Sequence, residues 1–292
     1  MNTRILLNEF EYFEPKTVSD AIALLAKNRG KAKLIAGGTD LLVEMKNGKI
    51  KPKCLVSIMK ISNLNYIVTD KNKTRIGAGT TFQEIEESKL IRDRYPSFIE
   101  AVRSMGTAQV RCMATLSGNI CNASPAAEAP VALLSLSAKV KISGIRGDRV
   151  VPLEEFFVGP GKTALLPDEL LTEVQIPSPP KMAGCAFLKI SRVVADVSKV
   201  NAAAMIERAG DKLKSCKIAL GAVSPTPIRA KKAEEILKGK KFDEETIKAA
   251  ARVASEEIKP ITDIRSTAEY RKEVSRVLVE KVLRRAWERA GG

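Results

Sequence analysis

The sequence contains no histidine. That excludes a serine–histidine–acid triad, a histidine-ligated metal centre and a flavin linked through histidine. It leaves chemistry to a cofactor, or to Asp, Glu, Lys, Tyr and backbone groups. The five cysteines, Cys54, Cys112, Cys121, Cys185 and Cys216, include no Cys-x-x-Cys pair, so they form neither a zinc knuckle nor a local iron–sulfur loop. Aromatic residues are only 4% of the chain, too few to stack a run of bases. No apolar run reaches the roughly 18 residues that cross a bilayer. The opening segment, MNTRILLNEFEYFEP, has a short apolar stretch with acids close behind it, unlike a secretory signal. Free thiols without a signal predict a cytoplasmic protein.

What is present is a chain of 292 residues with 45% hydrophobic content, enough for two packing units with real cores. Its net charge of +15 is spread out, with short runs at Lys49–Lys53, Arg229–Lys232 and Lys238–Lys241. Dispersed charge with few aromatics predicts a solvated, ion-pair-rich surface and no nucleic-acid partner.

Apolar spacing predicts a helix over Thr17–Asn28, capped by Thr17 and ended by Gly30. A strand at Lys33–Ala36, a turn at Gly37–Asp40, a helix at Leu41–Lys46 and a strand at Cys54–Ser57 complete a small α/β unit. Asn65–Thr69 and Thr74–Ala78 flank the polar loop Asp70–Lys73 as a hairpin. Helices follow near Phe82–Glu87, Phe98–Ser104 and Val131–Ser137, with strands at Lys139–Ile142, Arg146–Val151 and Leu170–Ile176. Pro177–Pro180 is the clearest linker. Beyond it, strands at Cys185–Ile190, Asn201–Glu207 and Lys214–Val223 precede helices at Arg229–Leu237, Glu244–Ile258 and Ala268–Ala290. This order predicts lobes at residues 1–57 and 58–177 and an α+β domain at 181–292.

Two segments carry chemistry. In the first, Leu34, Ile35, Ala36, Gly37, Gly38, Thr39, Asp40 and Leu41, paired glycines at a strand end let backbone N–H groups face an anion. The helix that follows adds its positive N-terminus. The spacing is not G-x-G-x-x-G, so it fits a Rossmann dinucleotide site poorly; a plain turn is the alternative. The second, Ala114–Asn119 followed by Ala123–Glu128, is a stretch of small and hydroxyl residues read as a loop. It offers close backbone approach, and Glu128 could accept hydrogen bonds from ribityl or ribose hydroxyls. Two such segments could close on opposite sides of one diphosphate.

Together Ala36–Gly48 (AGGTDLLVEMKNG) and Thr115–Val140 (TLSGNICNASPAAEAPVALLSLSAKV) resemble the FAD-binding subunit of molybdenum hydroxylases, the family of carbon monoxide and xanthine dehydrogenases. Ile76–Thr81 (IGAGTT), Leu170–Pro177 (LLTEVQIP) and Ala186–Arg192 (AFLKISR) extend the resemblance over essentially the whole chain. It implies an α+β fold: a two-lobed FAD-binding domain of the p-cresol methylhydroxylase and vanillyl-alcohol oxidase type, plus a C-terminal α+β domain with a three-stranded sheet and helices. It also implies that Leu34–Leu41 and Thr115, Ser117, Gly118 and Asn119 hold the diphosphate of non-covalent FAD. Glu128 stands where the family usually has Asp, one methylene longer. Met105 matches a position near the isoalloxazine ring; Leu171 and Lys189 match positions touching the flavin or its ribityl chain. Leu171 and Phe187 equally suit a core, and Lys189 equally suits surface charge.

The resemblance further implies an electron-transfer role without an acid or base from this chain. Molybdenum–pterin would lie in a separate large subunit and two 2Fe-2S clusters in a small one, assembled as a dimer of heterotrimers. Electrons would leave for NAD, a quinone or another acceptor. A stand-alone flavin oxidoreductase of the same fold is the alternative, with a cysteinyl flavin link still open.

Overall fold

The computed structural model describes residues 8–291. The first seven residues, part of the segment read as lacking a secretory signal, and Gly292 lie outside them.

The first sheet is parallel. Cys54–Ser57 lies between Glu11–Phe13 and Ala32–Ile35. Its central strand is buried at every position, as both faces of a parallel sheet require. The crossover helix Val18–Lys27 starts at Thr17, whose side chain accepts from the Asp20 N–H. It is capped at its far end by Asn28 rather than ended by Gly30, which sits in the turn beyond at φ +77°. A strand at Glu11–Phe13 had no alternating pattern to announce it.

The second sheet is antiparallel, ordered Ile67–Thr69, Lys73–Gly77, Glu169–Pro177, Lys139–Gly144, Gly147–Pro152. Its central strand slips register between Leu171 and Glu173. Such a bulge bends a strand and re-aims its side chains, and here it falls on a residue of the cleft described below. The helices Pro96–Arg103 and Glu128–Ser135 pack on each other and on the third sheet.

The third sheet is antiparallel: Ala183–Ile190, Val200–Ala209, Lys212–Gly221 and a short fourth strand, Ile228–Arg229. The fourth strand makes the sheet one strand wider than the three expected. It also moves the start of the next helix from Arg229 to Lys231. Helices Lys231–Leu237, Glu244–Glu257 and Ala268–Ala290 cover one face. Alternate residues of the second strand serve opposite cores: Ala202, Ala204 and Ile206 face these helices, while Ala203 packs with the large core formed by the first two sheets. That is why Asn201–Ile206 reads as continuous alanine-rich sequence rather than as alternation.

Small residues also set the spacing of the last helix. A Cβ on Gly184 would stand 2.1 Å from the Ala286 carbonyl oxygen and 2.5 Å from the Ala290 nitrogen. Both obstacles are backbone, so Gly184→Val must push the helix off the sheet. We expect about 3 kcal/mol of destabilisation or more from such overpacking, measured as a fall in the denaturant midpoint.

Candidate functional site

The first small-residue segment leaves the strand Ala32–Ile35, turns through Gly37 and Gly38, and enters the helix Leu41–Lys46. Gly38 has φ +71°, a conformation that costs an L-residue of order 1–2 kcal/mol. The backbone N–H groups of Gly37, Gly38 and Thr39 have no protein acceptor among the described residues. They are donors left for a ligand.

The second segment is not a loop. Thr115 caps a helix, Leu116–Asn122, by accepting from the Gly118 N–H at 3.1 Å. Serine, glycine and asparagine are weak helix formers, but Leu116 and Ile120 are fully buried and anchor it. The Ile76–Thr81 stretch holds this helix start in place. Phe82 N–H donates to the Ala114 carbonyl, Leu116 N–H to Thr80, and Ser117 Oγ to Ala78 at 2.6 Å. Sequence had assigned that stretch no role at the site.

The two segments touch. A Cβ on Gly37 would lie 1.7 Å from the Met113 carbonyl oxygen, and one on Gly118 would reach the Ala36 Cβ at 4.0 Å. Between them opens a cleft of about 850 Å³, within the size range of cofactor sites. Every site residue named from sequence lines it except Lys189: Leu34 to Leu41, Met105, Thr115, Ser117, Gly118, Asn119, Glu128 and Leu171. Phe187 is core and does not line it.

The chemistry of the lining suits a dinucleotide. Asn119 Oδ1 is buried without a hydrogen-bond partner, a state that costs roughly 1–3 kcal/mol unless a ligand donor meets it. Lys33 is the only cationic side chain in the described lining, so a diphosphate here would be held by N–H dipoles more than by ammonium groups. The Asp40 carboxyl is raised above its ordinary value, first by the protein mass around it and then by Glu44. This holds although Asp40 is exposed at the rim, because the protein beneath removes part of the water that would solvate the carboxylate. Burial pushes the Glu169 carboxyl up, but bonds from Arg149 at 2.8 Å and the Leu166 N–H at 2.9 Å outweigh it, leaving a net lowering.

Lys189 is not surface charge, and it stands just behind the lining of the cleft. Its side chain is 5% exposed, and its ammonium pairs with Glu128 Oε1 at 2.8 Å while donating to the carbonyls of Ser104 and Val194. A buried ammonium must satisfy all its donors, and these three partners do so. Ser198 Oγ donates to the same Glu128 oxygen at 3.0 Å. Glu128 Oε2 has no protein donor among the described residues and can accept from a ligand hydroxyl. Gly106, which precedes the helix Ala108–Met113, also lines the cleft, as do Leu165, Leu166 and the segment Ala195–Val197. Gly106, at φ +48° beside Met105, was the only one with a signal in sequence.

Cys121 lines the cleft from the helix Leu116–Asn122, and burial pushes its thiol up to about 12. The residue is only half-buried by surface area because the cleft counts as solvent; the packing around the thiol decides its titration. It carries almost no thiolate at neutral pH, so it is a poor candidate for a covalent flavin link. We expect iodoacetamide at pH 7.5 to label exposed Cys112 in the native protein and to leave Cys54, Cys121, Cys185 and Cys216 unmodified, as read by peptide mass spectrometry. Rapid Cys121 labelling would contradict its environment.

Comparison with known proteins gives a consistent result. Residues 8–179 match the family described as FAD binding domain in molybdopterin dehydrogenase, and residues 185–286 match the CO dehydrogenase flavoprotein C-terminal domain. The chain is 32% identical over 280 residues to the carbon monoxide dehydrogenase medium chain of Hydrogenophaga pseudoflava, covering 96% of this chain and 98% of that one. It is 32% identical over 284 residues to the xanthine dehydrogenase FAD-binding subunit of Escherichia coli O157:H7, covering 96% and 97%. A solved structure of the Hydrogenophaga pseudoflava carbon monoxide dehydrogenase superposes with a TM-score of 0.95 at 33% identity, covering 98% of this chain and 99% of that chain.

Proposed function

We propose, from the premise that this chain belongs to the FAD-binding subunits of molybdenum hydroxylases, that its cleft holds FAD non-covalently between the two glycine-bearing segments. On this reading residues up to 57 and 58–177 form the two lobes, and 181–292 the C-terminal domain. Gly37, Gly38 and Thr39 donate backbone N–H groups to the diphosphate from one flank; the Thr115-capped helix, with Ser117, Gly118 and Asn119, meets it from the other. Glu128 Oε2 accepts from a ribityl or ribose hydroxyl, and Met105 and Leu171 shape the wall for the ring.

When bound, the flavin supplies a relay that accepts electrons from 2Fe-2S clusters and yields them to NAD, a quinone or another acceptor. The chain's own residues bind, orient and exclude water; none has to move a proton. The clusters and the molybdenum–pterin would come with a small and a large partner subunit, as a dimer of heterotrimers; the kinship with the carbon monoxide dehydrogenase medium chain supports this. No described helix is long and apolar enough to cross a membrane, and five unpaired thiols suit the cytoplasm.

The observation that carries the reading is the meeting of Gly37 with Met113 beside the unpartnered Asn119 oxygen. The test is a native pull-down with metal and flavin analysis. One FAD per chain together with molybdenum and iron in two further subunits is the expected result. A flavin-loaded chain that turns over alone would favour the stand-alone oxidoreductase, and a colourless preparation would end both.

A further inference from the structure

The segment between the helices Leu116–Asn122 and Glu128–Ser135 forms part of the cleft wall, through Ser124, Ala126 and Ala127. Two of its carbonyls are held by the C-terminal domain. Ala222 N–H donates to the Pro125 carbonyl at 2.7 Å, and Asn201 Nδ2 donates to the Ala126 carbonyl at 3.3 Å. Neither Asn201 nor Ala222 lines the cleft. Asn201 is fully buried, and its Oδ1 has no partner. A Cβ on Gly221, its neighbour across the sheet, would stand 2.5 Å from that oxygen. Burial alone would favour an apolar side chain in such a place, so what the amide contributes is its donor to Ala126. Ala222 has φ +64°, a strained conformation for an L-residue. Arg271, 4% exposed, secures it: Nη1 donates to the Ala222 carbonyl at 2.6 Å and Nη2 to Asp263 at 2.7 Å.

We infer that Asn201 and Arg271 are positioning residues through which the C-terminal domain completes the cofactor site: they hold the Pro125 and Ala126 carbonyls out of the cleft and so set the wall that leads into Glu128. The inference rests on the FAD reading for the occupant, and on the observed bonds alone for the brace. Asn201 acts directly on Ala126. Arg271 acts through Ala222 on Pro125. A carbonyl released from either hold is free to swing inward, where the negative end of its dipole would face an anionic diphosphate.

Two variants and a control test it on the full-length chain freed of flavin and titrated with FAD, with the urea midpoint measured alongside. Asn201→Ala removes one hold and Arg271→Met the other. Arg271→Met strands no acid, because Asp263 keeps the N–H donors of Arg265 and Ser266. Gly184→Ala is the control: it strains the same domain against the last helix, and Gly184 does not line the cleft. Asn201→Ala is expected to raise the Kd for FAD about fivefold, the order set by one hydrogen bond. Arg271→Met should weaken FAD to a similar degree and speed hydrogen exchange at the Ala222 amide. Gly184→Ala should lower the urea midpoint with the Kd unchanged. An unaltered Kd in Asn201→Ala overturns the inference, and so does an equal rise in Gly184→Ala, which would trace the effect to stability alone. Should Arg271→Met fail to fold, Asn201→Ala decides by itself. Failure of the unaltered chain to take up FAD would instead strike the FAD reading; the Ala222 exchange, measured without flavin, tests the brace separately, and unchanged exchange in Arg271→Met refutes it.

Discussion

Gly37→Ala is expected to lose bound FAD almost entirely, although it adds one methyl group. The new carbon would sit 1.7 Å from the Met113 carbonyl oxygen, 2.5 Å from its carbon and 3.1 Å from the Ala114 Cα. None of these is the free end of a side chain, so the two segments must move apart. Thr115, which caps the helix on the far flank, follows directly after Ala114. Overpacking of this kind costs about 1–3 kcal/mol, and about 1.4 kcal/mol is a tenfold loss of affinity; we expect ten- to hundredfold weaker retention. Gly38→Ala should be milder. Its Cβ meets only the Leu42 and Ile35 side chains, at 3.0 Å and beyond, although the φ of +71° adds strain. Gly38→Val and Gly118→Val should also release FAD, with the fold largely kept. Gly48 provides the control, because it has the same φ of +71° with nothing within 4 Å of a new Cβ. Gly48→Ala should lose some stability and keep its flavin. Flavin-to-protein absorbance ratios after gel filtration give the ranking; full flavin in Gly37→Ala would refute the site.

Breaking the Glu128–Lys189 pair is the other large effect. Both side chains are nearly buried, at 9% and 5% exposure. Removing one member leaves a charge in a low-dielectric interior, at a cost of about 3–5 kcal/mol. Lys189→Met and Glu128→Gln should each lower the urea midpoint strongly. The double variant should be clearly more stable than the sum of the two predicts, because it leaves no isolated charge. Lys189→Met has the further cost of releasing the Ser104 and Val194 carbonyls. Strictly additive losses would show that the two residues act independently.

Local chemistry made much of this protein legible in one dimension. Helical spacing located Ala268–Ala290 with both ends correct, the polar loop at Asp70–Lys73 marked a hairpin, and paired glycines marked the first turn of the cleft. Each of these signals lies within a few residues of its cause. The helix Leu116–Asn122 was missed for the opposite reason. Its residues favour a loop, and the burial of Leu116 and Ile120 in the large hydrophobic core decides otherwise.

The sequence by itself determined the fold class, the family and the two small-residue segments, because turn chemistry, periodicity and motif are local properties. Only the tertiary structure decided that Gly37 meets Met113, that Lys189 faces Glu128 rather than solvent, and that residues 195–197 wall the cleft. Those outcomes join residues far apart along the chain, Glu128 and Ser198 being 70 positions apart. Whether a charge is buried with a partner or left in water depends on which surfaces the fold brings together, and no local pattern of residues encodes that.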